Sequence, residues 1–304
     1  MKHNKIDLMI DLTDNMNQPT TCPICNSGEK IKNTMIQIAN GNIFFCNVCN
    51  GYFLFPQTIV EYKGSGWSES RKIKWRYDVQ RANEFAPAIK KYYEDQWNQP
   101  LKTVLELGCS TAYMGIGFRN IGCDYSGIDL DTDSIEFAKK NEIDAHISSL
   151  EEIEKITLPY KKYDLVISSN VFEHLKDPIL ALKKLKPICG GIIIIIVPNA
   201  DGLFHKLSAL KTLRKLIQFA SRDSREIVYS IDGYWHNVAY TQNTLKYFCE
   251  QVGMDCLKIS QISINDPVFG FVQPNKTFFY RFISHIAAIL SMDSQIILIA
   301  RPKN

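Results

Sequence analysis

The chain is short of several things, and each shortage excludes a class of protein. No stretch of about eighteen apolar residues runs free of charge, so no membrane-spanning helix is expected. The nearest approach, 282–299, contains His285 and Asp293. The start, MKHNKIDLMIDLTDN, has no apolar core of the kind an export signal needs. There is little excess of either charge. The 35 Lys and Arg stand against 32 Asp and Glu, a net +3 that is weak for a dedicated duplex-DNA binder. There is no internal repeat, no low-complexity tract and no GxGxxG triad of a dinucleotide loop. The nine cysteines, odd in number and scattered, do not make a disulfide framework. A cytoplasmic location is expected. With 45% hydrophobic and 22% charged residues, the 304-residue chain reads as globular and long enough for one large domain or two smaller ones.

What is present falls into zones. Residues 1–58 are polar and hold four cysteines in two pairs. Residues 59–97 are rich in aromatics (Tyr62, Trp67, Trp75, Tyr77, Phe85, Tyr92, Tyr93, Trp97) and read as a helical lid or linker. From about residue 98 to 304, strand-like and helix-like patterns alternate, which predicts βαβ units and a mostly parallel sheet. Strands are expected at Thr103–Leu107, Tyr125–Asp129, Asp164–Ser168 and Gly191–Val197, with late strands near Asp255–Ile264 and Gln295–Ala300. Helices are expected at Thr111–Asn120, Asp133–Asn141, Pro178–Lys186 and Thr241–Val252. Asp131 or Thr132 is the expected N-cap of the second helix.

Cys22-Pro-Ile-Cys25 and Cys46-Asn-Val-Cys49 are two CxxC turns separated by twenty residues. Two such turns facing each other form a tetrahedral sulfur cage suited to Zn²⁺; the alternatives are redox or unliganded thiols. A closed set of four thiolates has no open position, so the ion would be structural. Gly51 is expected to ease the second turn. Cys109, Cys123, Cys189, Cys249 and Cys256 show no pairing pattern and read as small buried residues.

Val104-Leu105-Glu106-Leu107-Gly108-Cys109-Ser110-Thr111-Ala112 ends one strand and opens a helix, and Asp129 ends the next strand, 21 positions after Gly108. The glycine lets the chain turn close to a ligand, and the acid can accept hydrogen bonds from ribose hydroxyls. Ser110 and Ala112 stand where a dinucleotide site has further glycines. Glu106 adds negative charge beside the loop, which suits a pyrophosphate badly. It suits a ligand with ammonium and sulfonium groups and no phosphate, such as S-adenosylmethionine.

Four segments, LELGCSTAYMGIGF, YSGIDLDTDSIEFAKK, YDLVISSNVFEHLKDP and LKPICGGIIIIIVPN, resemble in order the successive motifs of class I S-adenosylmethionine-dependent methyltransferases. The resemblance covers roughly residues 100–304. The four-cysteine element followed by an aromatic segment resembles a bacterial subgroup acting in sugar, polysaccharide or secondary-metabolite pathways. The resemblance implies an α/β, doubly wound Rossmann-like methyltransferase sheet preceded by a small zinc-ribbon-like element. It implies that Glu106, Gly108 and Cys109 line the methionine end of the cofactor, that Asp129 takes the ribose hydroxyls and that Leu130 lies against the adenine. Ser148, Ser149 and Leu150 follow the third strand near the adenine, where the family often has an Asp that this chain lacks. Ser169 and Asn170 end the fourth strand beside the methyl group.

Glu173-His174 lies just past that strand, on the edge where open α/β sheets bind ligands. His174 is the first candidate for a general base, with local packing or capping as the alternative. His236, within Asp232-Gly233-Tyr234-Trp235-His236-Asn237, is the second, and Tyr234 and Trp235 could wall the acceptor pocket. His146 reads as structural. Arg71-Lys72-Ile73-Lys74-Trp75-Arg76-Tyr77 interleaves cations and aromatics as single-strand binders do. Residues 59–97 hold only eight basic residues against six acidic, so a helix covering the cofactor site is preferred to a nucleic-acid surface. Residues 203–225 form a basic segment with leucines near helical spacing, inside an insertion near 201–232. It is read as a helix over the acceptor pocket, with a homodimer face and a peripheral membrane surface as alternatives.

The expected activity is methyl transfer to oxygen or nitrogen of a small-molecule acceptor, such as a sugar or nucleotide-sugar. The rivals are an RNA methyltransferase using 71–77 and the ribbon, a non-catalytic cofactor-binding scaffold and, more remotely, a dehydrogenase.

Overall fold

A computed structural model describes residues 18–38, 40–57, 67–215, 228, 230–233, 235–263, 266, 268–269 and 278–303. The expectations for Tyr62, Tyr234, Arg222, Arg225 and the leucine-rich stretch beyond 215 lie outside them.

The seven-stranded sheet follows from alternating short apolar runs and amphipathic helices. Its strands are β4 (Thr103–Leu107), β5 (Asp124–Asp129), β6 (Ala145–Ile147), β7 (Tyr163–Ser169), β8 (Cys189–Pro198), β10 (Met254–Gln261) and β11 (Gln295–Pro302). The order is β10-β11-β8-β7-β4-β5-β6. All neighbours are parallel except β11, which runs antiparallel to both β8 and β10. The six residues Ile192–Val197 of β8 are buried, as expected of a strand covered on both faces. Chain order reverses between β4 and β7, which opens a crevice at their carboxyl ends.

Helix α1 (Trp67–Trp97) precedes the sheet, followed by α2 (Tyr113–Asn120), α3 (Thr132–Lys140), α4 (Pro178–Leu185), α5 (Leu203–Ala209), α6 (Gln242–Val252) and α7 (Phe278–Ile289). The end signals are local. Asp177 caps α4 by accepting from the Leu180 N–H, with Pro178 in the first turn. Thr241 and Thr244 form a capping box on α6, and Gly253 closes it at φ 63°. Asp131 occupies the N-cap position of α3, but its carboxylate accepts from the Ser134 hydroxyl instead of a backbone N–H.

Helix α2 starts at Tyr113, two residues later than expected, because Ser110 (φ 50°) and Ala112 (φ 55°) are left-handed. Helix α1 crosses α2 so closely that a Cβ on Gly117 would sit 2.3 Å from the Ala82 carbonyl oxygen.

A second sheet, β1 (Ile31–Ile38), β2 (Gly41–Cys46), β3 (Gly51–Phe55) and β9 (Val238–Ala239), holds the cysteine element. It shares a core with the large sheet: Cys22, Ile24, Cys46, Cys49 and Phe53 pack in one apolar cluster with Leu105, Ile193 and Phe248. Ala82 and Ile89 of α1 pack on the opposite face with Val104, Phe118 and Ile194. The described parts of the cysteine element and α1 thus each pack into a core shared with the large sheet.

Three expectations are corrected. The basic segment is not one continuous helix: α5 ends at Leu210 (φ −80°, ψ 117°) before a further turn over 211–215. Arg214 is not a surface cation; it is 4% exposed and donates to the carbonyls of Ser208 (2.8 Å), Ala209 (3.3 Å) and Gln37 (2.7 Å). Cys256 is exposed, because it lies on β10, an edge strand, where three consecutive residues (256–258) are exposed and the pairing register shifts. No helix among the described residues is long and apolar enough to cross a membrane.

Candidate active site

The turn after β4 is fixed from both sides. Gly108 has φ 67°, and a Cβ there would meet Val171 Cγ2 at 2.2 Å, so only glycine fits. The N–H groups of Gly108 and Cys109 donate to the Ile128 carbonyl at 2.8 and 3.0 Å. Asp129 locks the same turn: Oδ2 accepts from the Ser110 N–H at 2.7 Å, and Oδ1 accepts from the Asp131 N–H at 2.9 Å. Burial raises the pKa of Asp129, and these backbone donors oppose the shift.

Glu106 accepts a hydrogen bond from the Tyr125 hydroxyl. Burial pushes its carboxyl up to about 8, against the lowering by Tyr125; the Asp129 charge adds to the rise and Arg71 opposes it. Two acids thus meet at the mouth of the turn with little compensating charge, an arrangement that a cationic ligand would relieve.

Leu130 is 53% exposed just past Asp129, open to a ligand. The Cys109 side chain turns inward: a Cβ on Gly127 would lie 2.7 Å from its sulfur, so Cys109 lines the turn through its backbone. Ser148 donates its N–H to the Asp129 carbonyl at 3.1 Å, and Ser149 occupies the N-cap position of the 3-10 turn that follows without a side-chain capping bond. Leu150 is 5% exposed and lies in the apolar cluster that also holds Leu107 and Ile128, so its side chain belongs to the core. Ser169 and Asn170 stand at the end of β7, with Asn170 left-handed at φ 56° and its Oδ1 accepting from Gln295 Nε2 at 3.0 Å. His146 lies 3.0 Å from the Asp144 carboxylate.

The second part of the site joins segments far apart in sequence. Glu173 and His174 sit on a 3-10 turn (Phe172–His174) after β7. The rings of His174 and His236 are 4.8 Å apart, centroid to centroid, and His236 Nε2 lies 3.9 Å from Glu173 Oε1. Burial pushes Glu173 up to about 8 and His174 down to about 4, so both are neutral near pH 7.

Residues that the sequence did not single out hold this constellation. The Tyr240 hydroxyl donates to the Phe172 carbonyl at 2.6 Å and fixes the Glu173 turn. Asp232 Oδ1 accepts from the N–H groups of Trp235 (2.7 Å) and His236 (2.9 Å). Asn40 of the β1–β2 turn donates to the Gly233 carbonyl at 2.6 Å, and the Leu54 N–H to the Asn237 carbonyl at 2.8 Å. No periodicity announces such links; Asp232 alone had a signal, as an acid opening the Tyr-Trp-His segment.

The four cysteines come together as expected. Cys22 and Cys49 sulfurs are 3.8 Å apart, and Cys25 and Cys46 sulfurs 3.7 Å. Four sulfurs each about 2.3 Å from a central ion in a tetrahedron stand about 3.8 Å apart, so the cage fits such an ion. Each CxxC turn is closed by a left-handed Asn, Asn26 and Asn50, both at φ 58°. Their N–H groups donate to the Cys22 and Cys46 carbonyls at 2.8 Å. Gly51 serves a different need from the one expected: a Cβ there would lie 2.4 Å from Ile24 Cδ1.

The 71–77 stretch lies on α1. Lys72 pairs with Glu69 at 2.7 Å, Arg71 lies 3.7 Å from Asp78, and the Trp75 ring packs edge-on against Phe137. The cation–aromatic interleaving is therefore partly consumed by intramolecular contacts.

The family described as a methyltransferase domain matches residues 77–257, more than half of the chain. The chain belongs to this methyltransferase family. The expectation of an S-adenosylmethionine-dependent methyltransferase is met at that level, and the dehydrogenase alternative falls. A ubiquinone biosynthesis O-methyltransferase of Colwellia psychrerythraea is 22% identical over 175 residues, 55% of this chain and 66% of that protein, so the match spans just under two thirds of that relative. The plantazolicin methyltransferase BpumL, solved in complex with SAH, superposes with a TM-score of 0.53 at 18% identity, covering 80% of this chain and 92% of that one. Magnesium protoporphyrin IX methyltransferase from Synechocystis PCC 6803, solved with bound SAH, gives a TM-score of 0.50 at 14% identity over 80% and 96%. These likenesses establish the methyltransferase fold.

Proposed function

We propose that the chain transfers the methyl group of S-adenosylmethionine to an oxygen or nitrogen of a small-molecule acceptor, with Glu173, His174 and His236 at the acceptor side. The observation that carries this reading is one edge of one sheet. The Gly108 turn with its two acids lies at the end of β4, and the Glu173–His174–His236 cluster lies past the adjacent β7. When bound, the cofactor supplies an electrophilic methyl group on a sulfonium.

The chain's own residues then divide the work. The Gly108 turn lets the backbone approach the ligand, and Glu106 offers its carboxylate to cationic groups. Asp129 keeps lone pairs for ribose hydroxyls, and Leu130 offers an apolar contact to the base. Much of the rate in such a displacement comes from holding the two reactants in line. His174 and His236 can take a proton from an acceptor hydroxyl or amine, since His174 is held neutral.

The relatives, which include a ubiquinone biosynthesis O-methyltransferase and plantazolicin and magnesium protoporphyrin IX methyltransferases, support a small-molecule acceptor. A sugar or nucleotide-sugar is the narrower reading. Exposed Lys206, Lys211 and Lys215, in the insertion after β8 on the same sheet edge, would favour a phosphate-bearing acceptor. The cysteine cage is proposed to hold Zn²⁺ in a structural role, because all four positions of the tetrahedron are filled by sulfur.

The test is calorimetric titration of S-adenosylmethionine and S-adenosylhomocysteine into zinc-replete protein, with Asp129→Ala alongside. The expected outcome is binding that weakens about 100-fold in the variant, as loss of two charge-assisted hydrogen bonds implies. Well-folded wild-type protein that binds neither compound would sink the reading.

A further inference from the structure

Glu173 is 1% exposed, and neither carboxylate oxygen accepts a hydrogen bond from a described residue. A buried acid left in that state is rare and asks for a cause. Its neighbours are two imidazoles. One donor atom each from Glu173, His174 and His236 lie within 4.8 Å of one another. The 3.9 Å between His236 Nε2 and Glu173 Oε1 is too long for a hydrogen bond. It suits two donors that each sit about 2.1 Å from one shared ion, which can stand up to about 4.2 Å apart. No separation in the trio exceeds that limit by more than about 0.6 Å.

The surroundings are those of a ligand set. His174 Nδ1 lies 2.8 Å from the Trp235 carbonyl oxygen. A ring nitrogen facing a carbonyl carries the proton, so in the neutral ring Nε2 holds the lone pair. Metal-bound histidines are commonly oriented in this way, by donating the other N–H to a backbone carbonyl. The His236 backbone is held by Asp232, and the Glu173 turn by Tyr240. Each donor therefore sits on a turn fixed from outside.

We propose that Glu173, His174 and His236 form a second metal site, distinct from the cysteine cage, for one divalent transition-metal ion of the Mn²⁺, Fe²⁺, Co²⁺ or Zn²⁺ class. Two imidazoles and one carboxylate are the donor set such ions accept, whereas Ca²⁺ and Mg²⁺ favour all-oxygen shells. Three protein ligands leave coordination positions open. His174 and His236 are only half-buried, which leaves those positions a route to solvent. On the methyltransferase reading above, they take two adjacent oxygens of the acceptor, as a vicinal diol, catechol or hydroxy acid presents. The bound ion lowers the pKa of the coordinated hydroxyl, and the two histidines then act as ligands rather than as bases.

The experiment loads the full chain with zinc at the cysteine cage and titrates it with Mn²⁺, reading free Mn²⁺ by electron paramagnetic resonance. One Mn²⁺ per chain is expected. Glu173→Gln and His236→Asn should each weaken it at least tenfold, and Asp129→Ala should leave it unchanged. No uptake by wild-type protein up to millimolar Mn²⁺ or Co²⁺, or equal uptake in both ligand variants, overturns the site. Calorimetry with S-adenosylhomocysteine on the wild type and the two ligand variants reports their folding and separates the two readings, and a thermal melt reports the folding of Asp129→Ala. Cofactor binding without Mn²⁺ uptake removes the metal site and leaves the methyltransferase; Mn²⁺ uptake without cofactor binding keeps the site and removes the acceptor role. Should Glu173→Gln fail to fold, His236→Asn on the half-buried turn decides alone.

Discussion

The cofactor side and the acceptor side share one sheet edge and are built in opposite ways. The Gly108 turn is local: within 24 residues the chain supplies the glycine, the acid of the next strand and the backbone donors that join them. The Glu173–His174–His236 group is a long-range assembly, with its ligand residues about sixty positions apart and its turns tied down by Tyr240, Asp232 and Asn40. The cysteine element belongs to the second side. Strand β9, which closely follows His236, is the fourth strand of the cysteine sheet, pairing Tyr52 with Ala239 and Phe53 with Val238. The carbonyl of Asn50, next to the second cysteine pair, accepts from the hydroxyls of Thr241 (2.8 Å) and Thr244 (2.9 Å) at the start of α6. The cysteine element is thus tied, through β9 and the start of α6, to the segment that carries His236.

The largest effect expected from this contrast comes from emptying the cage. Structural zinc contributes on the order of 10 kcal/mol to small domains that depend on it, and here Cys22, Cys46 and Cys49 are fully buried in the shared core. Slow chelation, or Cys46→Ala, should abolish methyl transfer. It should lower the melting temperature by more than about 10 °C. If the two sides are as separate as the contacts imply, S-adenosylhomocysteine binding at moderate temperature should outlast acceptor turnover. Parallel loss of both would break the comparison.

The next effect belongs to the cofactor side alone. Burial raises Glu106 to about 8, so near pH 6–7 the folded protein keeps a proton that the unfolded chain has lost. The sign follows: between about 4.5 and 8 the contribution of this carboxyl to stability declines as pH rises. Ligand binding runs the other way, because a cationic ligand needs the ionised form. Affinity for S-adenosylmethionine should rise with pH toward 8, approaching tenfold per unit. Proton release should be visible by calorimetry in buffers of different ionisation heat. Glu106→Gln should flatten the profile. A flat wild-type profile would mean that Glu106 does not face the cation.

A smaller effect tests the tie between the sides. Asn40→Ala removes the hydrogen bond to the Gly233 carbonyl, a loss of about 1 kcal/mol. The acceptor KM should rise several-fold while the cofactor Kd stays unchanged. Equal changes in both would place the ribbon's influence on the whole edge and not on the His236 loop.

The same contrast explains what the sequence could show. Gly108, Asp129, the two CxxC pairs and the apolar run of β8 are readable because the forces that place them act over a few residues or a fixed strand-to-strand distance. Thr241 and Asp177 announce helix starts for the same reason. The partnership of Glu173 with His236 was not readable as geometry, although each was a candidate, because it depends on how β9 joins a distant hairpin. That the Leu150 side chain joins the core was not readable, because an apolar residue at a ligand-side loop and one in the core look alike in sequence; only its place in the apolar cluster with Leu107 and Ile128 decides. The leucines of 203–219 suggested one helix, yet Leu210 leaves helical backbone, and Arg214 satisfies the carbonyls that the break exposes.

The smallest effect sits in the cofactor turn and tests how local that side is. Ser110 and Ala112 occupy left-handed positions without being glycine, at a cost of about 1–2 kcal/mol each. The two differ in what a glycine would lose. Ala112 is fully buried, so removing its methyl would give back about 0.8 kcal/mol of the relief. Ser110 carries a hydroxyl with no hydrogen-bond partner among the described residues, and the contact that matters to the site is its backbone N–H to Asp129. Ser110→Gly keeps that N–H and relieves the strain, less about 0.5–1 kcal/mol for the added freedom of the unfolded chain. A net gain of about 0.5 kcal/mol is expected, or roughly 1–2 °C in melting temperature for a chain of this size. Cofactor affinity should be unchanged within a factor of two. A loss of affinity instead would show that the serine side chain, and not only the turn it sits in, belongs to the site.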